Sequence, residues 1–146
     1  MTQEDIFIMF RNMTEIYDEY CEPVCKEYDI PHISLEILSF LSEYPEHFTA
    51  KDISSIKKIK PSLVSLHVEK LVKNGYLVRE SVNGDRRKVK LVCTEKAQAV
   101  IARGRQKQEE FQAAMFENID ESTREAFFAA LGKIENNLDK MMKENG

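Results

Sequence analysis

The hydrophobic and polar positions between residues 58 and 96 follow first the period of a helix and then that of a strand. In the first part, Val64, Val68 and Leu71 recur at steps of four and three and define one apolar face. The opposite face is polar apart from Leu66. The pattern predicts an amphipathic helix that packs by one side and leaves the other side free.

A β-hairpin is predicted directly after this helix. Gly75 suits the residue just past the helix C-terminus, where a positive φ costs glycine little. Residues 77–81 and 88–92 alternate as strands do, and Asn83-Gly84 between them is a strong turn signal. Asp85-Arg86-Arg87 is then expected in a charged loop at the hairpin tip. A helix followed by a basic hairpin is the winged-helix arrangement, with one element for each groove of DNA.

Three further helices are expected before this segment, over residues 4–28, 33–43 and 50–56. Pro23 should kink the first of them or end it nearby. Thr49 is a good N-cap for the third, which is the first helix of a helix-turn-helix pair. In the second helix, the inward positions are Ile37, Leu38 and Leu41.

Two helices are expected after the hairpin. Thr94 should cap the fifth helix, which runs to about residue 117, and Asp120 or Ser122 should cap the sixth. The fifth helix has its buried side at Val100 or Ile101, Gly104, Phe111 and Met115. The sixth carries a short heptad seam of Phe127, Leu131, Ile134, Leu138 and Met141.

The first, fifth and sixth predicted helices carry apolar stripes, which indicates that they pack against a partner. A winged-helix core of about fifty residues covers only a fraction of them, and burial at about 25 cal/mol per Å² favours a second copy. The helix that carries Val64, Val68 and Leu71 would be the recognition helix, the one that enters the major groove of DNA. Two copies would place two such helices about 34 Å apart, on a pseudo-palindromic DNA site.

The recognition helix and hairpin also resemble those of the MarR/SlyA transcriptional regulators. The segments PSLVSLHVEKLVKNGYLVRE and NGDRRKVKLVCTEKA carry the resemblance, with Val92 and Cys93 as a two-residue departure before the threonine. Its matching positions are Leu71, Gly75, Arg79, Asp85, Arg86, Arg87, Leu91 and Thr94.

The resemblance implies a mainly α fold with a small β-hairpin. One domain would span residues 1–146, with a winged helix-turn-helix core at about 33–96 and flanking dimerisation helices at about 4–28 and 95–143. It further implies a salt bridge from Asp85 to one wing arginine. A small aromatic effector is also implied. The residues that could line its pocket are Met9, Arg11, Met13, Tyr17 and Tyr20. Residues with this helical spacing are more often part of the core, so the pocket stays unassigned.

The charge distribution favours a polyanionic partner. The net charge of the chain is −4, but residues 49–96 hold 12 Lys+Arg and 5 Asp+Glu, a balance of +7. The remainder holds 9 Lys+Arg and 20 Asp+Glu, a balance of −11. A basic segment in an acidic frame is an electrostatic footprint for double-stranded DNA.

Candidate DNA contacts follow from these positions. The first turns of the recognition helix usually reach base edges, so they supply Ser62, Leu63, Ser65 and Leu66. For Leu63 core packing is favoured over contact, whereas for Leu66 both interpretations stay open. His67 is expected to pack or to contact phosphate. The phosphate contacts are Lys60, Lys70, Lys73 and Lys88. At the wing, Arg86 or Arg87 is expected to enter the minor groove, with the choice left open.

Other chemistry finds little support. No apolar run is long enough to span a membrane, and Glu4 and Asp5 stand where a signal peptide needs positive charge, so we expect a cytoplasmic protein. His32, His47 and His67 are scattered, which predicts no metal site. No nucleophile–base pair, phosphate loop or paired carboxylate indicates an enzyme or a cofactor.

The sequence therefore predicts a dimeric, sequence-specific DNA-binding regulator, a repressor released by an effector. Two alternatives are a winged-helix adaptor that binds proteins and a thiol-based redox sensor. The three cysteines are Cys21, Cys25 and Cys93, and none lies near Phe7, where the resemblance would place a reactive thiol.

Overall fold

The computed structural model describes the backbone of residues 1–146 and every side chain except that of Arg86. Over this backbone the chain forms six helices and one hairpin, which confirms the mainly α fold with a small β-hairpin. The helices are α1 (Gln3–Tyr28), α2 (His32–Glu43), α3 (Ala50–Lys57), α4 (Pro61–Lys73), α5 (Glu95–Met115) and α6 (Glu121–Asn145). The strands are β1 (Leu77–Val82) and β2 (Asp85–Cys93). No helix among these residues is both long and apolar enough to cross a lipid bilayer.

Helices α1 and α3 begin with the same device. The hydroxyl of Thr49 accepts the amide of Asp52 at 3.1 Å, and the Asp52 carboxylate accepts the amide of Thr49 at 3.2 Å. This capping box confirms the predicted start of α3. A second box of the same kind joins Thr2 and Asp5. Helix α1 then continues past Pro23 to Tyr28, where buried side chains hold its last turns on the core.

The chain divides into two compact units, Met1–Phe111 and Gln112–Gly146. The first unit contains the hydrophobic core. Ile37, Leu38 and Val64 are fully buried, as their helical spacing predicts. Other core residues of this unit are Val24, Leu41, Ile53, Val68, Leu71, Leu77, Leu91 and Val100.

The second unit contains an aromatic cluster. The ring of Phe116 lies 5.8 Å from that of Phe127 and 5.4 Å from that of Phe128. The guanidinium of Arg124 lies 5.3 Å from the Phe116 ring. Helix α6 itself has no buried residue, so its heptad seam faces outward in the single chain.

One expectation for α5 needs correction. Ile101 and Gly104 are buried as predicted, but Met115 is 39% exposed. Helical periodicity identifies the apolar stripe of α5, but it does not show how far along the helix other parts of the chain pack on that stripe. Thr94 directly precedes α5, and its hydroxyl donates a 2.6 Å hydrogen bond to the carbonyl of Gly75. It therefore ties α5 to the end of α4, an additional role that spacing does not predict.

The hairpin has a longer second strand than its sequence pattern predicts. Strand β2 begins at Asp85, so residues 85–87 belong to the strand and not to a charged loop. Asp85 pairs with Val82, but the next pair is Ser81 with Val89, so the register shifts there. The turn is Asn83-Gly84 alone, with φ values of 35° and 79°. Two residues at positive φ match the right-handed twist of the strands. Beyond the Val82–Asp85 pair, residues 86–88 of β2 form a bulge before regular pairing resumes at Val89.

Candidate nucleic-acid interface

Helix α4 presents the free face that its sequence predicts. Proline occupies its first turn, where no amide donor is needed. Val64, Val68 and Leu71 face the core. The exposed side carries most of the candidate contacts, namely Ser62, Ser65, Leu66, Lys70 and Lys73.

The exposure of Leu63 and Leu66 decides between core packing and DNA contact for these two residues. The sequence favours core packing for Leu63, yet the residue is 37% exposed. It directly precedes Val64 and so lies about 100° round the helix from the buried face. Leu66 is 49% exposed. Both leucines are therefore available for apolar contact with thymine methyl groups.

His67 is packed and not exposed to a ligand. Its side chain is 8% exposed, and Nδ1 lies 3.3 Å from the hydroxyl of Ser34 in α2. Burial, with a smaller contribution from Lys70, lowers the pKa of the imidazole. This histidine joins α4 to α2, and the neutral imidazole is the form that burial favours.

The wing carries Asp85 in a role different from the implied salt bridge. Its Oδ1 accepts a hydrogen bond from the main-chain amide of Arg87 at 2.9 Å. Among the described side chains, that of Arg87 forms no ion pair with it. The alternative pair with Arg86 lies outside the described side chains. Arg87 and Lys88 are exposed.

The cations of residues 49–96 differ in their environment. Lys60 precedes α4 at its N-cap and is exposed. Lys90 lies 5.4 Å from the ring of Phe48. Lys96 donates to the carbonyl of Asn74 at 2.7 Å. All three of these lysines are exposed, as are Lys70 and Lys73. Lys90 and Lys96 are also engaged in contacts within the chain.

An ion pair that sequence analysis missed joins α4 to β1. Nη2 of Arg79 donates to Oε2 of Glu69 at 2.8 Å. Both residues were visible in the sequence, but only as an exposed polar position and as a match to the MarR/SlyA pattern. No periodicity predicts the pair, because it depends on how the strand returns beside the helix.

The cysteines lack the surroundings that activate a thiol. Cys21 and Cys25 are buried, and burial raises the pKa of Cys25 to about 11 and that of Cys21 above its ordinary value. Burial also raises the pKa of Cys93. A thiol is reactive as its thiolate, so each of these shifts lowers reactivity.

The α3–α4 pair, the free face of α4 and the hairpin after it define a winged helix-turn-helix, a class of DNA-binding fold. Residues 28–88 match the model of the MarR family. Over these residues the chain is similar to the MarR family, the family that the recognition helix and wing resemble. No curated protein sequence matches the chain.

Solved MarR family structures share the fold over nearly the whole chain. A protein from Methanosarcina mazei, described as a MarR transcriptional regulator, has a TM-score of 0.81 at 21% identity, over 97% of this chain and 94% of that one. A Listeria monocytogenes protein assigned to the same family, solved with 26-mer DNA, has a TM-score of 0.77 at 20% identity, over 100% and 95%. MarR from Staphylococcus aureus, in complex with salicylate and kanamycin, has a TM-score of 0.70 at 19% identity, over 94% and 95%.

Proposed function

We propose that the chain is a homodimeric repressor that binds a pseudo-palindromic double-stranded DNA operator and is released by a small aromatic effector. In this proposal residues 1–146 act as one domain. Its winged-helix core spans about 33–96, and its dimerisation helices span about 4–28 and 95–143.

The observation that carries DNA binding is the free, basic face of α4 followed by an exposed cationic wing. Ser62, Ser65 and Leu66 would contact base edges, with Leu63 beside them. Lys60, Lys70, Lys73 and Lys88 would contact phosphates, which position the protein without specifying sequence. Arg86 or Arg87 would enter the minor groove, where a narrow groove concentrates negative potential. The DNA-bound relative from Listeria has the same fold, which supports this role.

Dimerisation is proposed from apolar side chains that the single chain leaves uncovered. On α6, Ile134, Leu138 and Met141 are each at least 50% exposed. On α1, Phe7 and Phe10 are also exposed. Transfer of exposed apolar surface from water into an interface is favourable. A second copy would cover it and would supply the second recognition helix.

An effector is proposed by analogy with the relative that binds salicylate. In this chain Tyr17 and Tyr20 pack on Phe111, with ring centroids 5.3 Å and 5.5 Å apart, while Met9 and Met13 are exposed. These contacts favour a core role for the tyrosines, so the pocket residues remain unassigned.

The alternatives are less well supported. An adaptor that binds only proteins would not need the +7 segment between residues 49 and 96. A thiol sensor is opposed by the burial and raised pKa values of its cysteines.

The salt dependence of DNA binding tests the proposal. The operator is first selected from a random duplex library, and its Kd is then measured by fluorescence anisotropy between 50 and 300 mM KCl. If each protomer neutralises three to five phosphates, the log–log slope should be roughly −5 to −9 for the dimer. A slope near zero would rule out this mode of contact.

A matched pair of variants locates the contacts. Lys70→Gln with Lys73→Gln should reduce the slope, because these lysines lie on the exposed side of α4. Lys140→Gln with Lys143→Gln removes the same charge from α6 and should leave the slope unchanged. Equal effects of the two pairs would contradict the assignment of the interface to α4.

A further inference from the structure

Glu69 is the only acidic residue in α4, and it lies on the side that the proposed function turns towards DNA. It follows Ser65 by four positions and Leu66 by three, so it shares their face of the helix. Its side chain is 68% exposed. A bare carboxylate at this place would face phosphates, and like charges brought together across an interface oppose binding.

Arg79 covers this carboxylate from the neighbouring strand. Its Nη2 lies 2.8 Å from Oε2 of Glu69, and its own side chain is 42% exposed. In the sheet, Arg79 on β1 pairs with Leu91 on β2, the strand that also carries the wing arginines. The ion pair therefore joins the helix proposed to enter the major groove to the hairpin proposed to enter the minor groove.

We propose that Arg79 acts in DNA binding through Glu69, by masking that carboxylate on the DNA-facing side of α4. The proposal rests on the proposed function. It assigns Arg79 no contact with phosphate or base. An exposed ion pair of this kind contributes little to folding stability. The consequence of the pair is thus expected in DNA binding and not in folding.

A double-mutant cycle on operator affinity tests the coupling. Arg79→Gln uncovers two carboxylates per dimer and should raise the Kd about tenfold, if each carboxylate weakens binding by a factor of about three. Adding Glu69→Gln to that variant should restore the Kd to within about twofold of the parent. Glu69→Gln alone should change the parent's Kd by less than about twofold, because its charge is already masked. Arg79→Lys should keep most of the affinity, since lysine also neutralises the carboxylate.

Two results would overturn the inference. If Glu69→Gln tightens binding equally in the parent and in Arg79→Gln, the two charges act independently. If the double variant loses salt slope by about 0.9 per protomer, Arg79 itself contacts a phosphate. Under the proposal the double variant keeps the parent's slope.

A matched control uses the Glu27–Arg103 ion pair, which joins α1 and α5 at 3.2 Å. Arg103→Gln removes the same charge outside the helix-turn-helix and wing, and should leave operator affinity unchanged. Thermal unfolding of every variant checks that the fold is intact. Failure of the parent to bind any duplex would refute the proposed function. A parent that binds, with additive variants, would refute only this inference.

Discussion

The main-chain amide of Arg87 donates a hydrogen bond of 2.9 Å to the carboxylate of Asp85. The bond closes a short turn at the start of β2, in which an aspartate side chain bonds the backbone two residues on. Asp85 therefore fixes the direction of the chain that carries the wing arginines. The donor in this bond is a main-chain amide, so an uncharged carbonyl oxygen at position 85 could accept the same bond.

This geometry predicts that Asp85→Asn keeps most of the operator affinity, because an asparagine oxygen accepts the same hydrogen bond. Asp85→Ala removes the acceptor and should weaken binding, though by less than loss of a wing arginine. The comparison of the three Kd values by anisotropy is the measurement. Equal losses for Asp85→Asn and Asp85→Ala would instead point to the negative charge, and hence to an ion pair.

The wing arginines should carry specific affinity. Arg87→Ala, or failing that Arg86→Ala, should weaken operator binding by about 1–3 kcal/mol per contact, and a dimer with two wings loses up to twice that. The fold should survive, because the hairpin end buries little apolar surface. The decisive variant combines Arg86→Ala with Arg87→Ala. If circular dichroism shows it to be folded and its operator affinity is unchanged, the wing has no role in binding.

The α6 seam should make the protein dimeric at micromolar concentration. Light scattering is expected to give about twice the chain mass of 17.0 kDa. Leu138→Lys should shift the species towards monomer, because an interface that buries an unpaired ammonium group is strongly disfavoured. Glu135→Lys changes the charge further in the same helix and serves as the control for charge alone. A parent of single-chain mass would rule out the proposed dimer.

His67 should make folding stability depend on pH. Burial lowers the pKa of this imidazole in the folded protein, whereas the unfolded value is about 6.5. The unfolded chain therefore binds the proton more tightly than the folded protein does. The contribution of His67 to folding stability is complete above about pH 6.5 and is lost as the pH falls towards the folded pKa.

Urea unfolding between pH 5.5 and 7.5 measures this dependence. The free energy of unfolding of the parent should fall as the pH is lowered through this window. His67→Gln should flatten the profile, at a cost of about 1 kcal/mol at pH 7.5 from the lost packing and hydrogen bond to Ser34. An unchanged slope in His67→Gln would show that other groups set the pH dependence.

The sequence by itself determined the elements and their faces. The buried stripe of α4 follows from a helical repeat at Val64, Val68 and Leu71, which any helix must present on one side. The hairpin turn follows from Asn83-Gly84, because few residue pairs tolerate two positive φ values in succession. The basic segment around these elements, and the family to which they point, are likewise properties of local sequence.

Only the tertiary structure decided which side chains meet. The Glu69–Arg79 pair joins residues 10 positions apart, and the Ser34–His67 bond joins residues 33 apart. Both depend on how α4 packs against its neighbours, which a periodic pattern does not encode. The exposure of Leu63 and the extension of β2 to Asp85 have a similar cause. A pattern marks the centre of a face or strand, whereas its edge is set by the neighbours that cover it or pair with it.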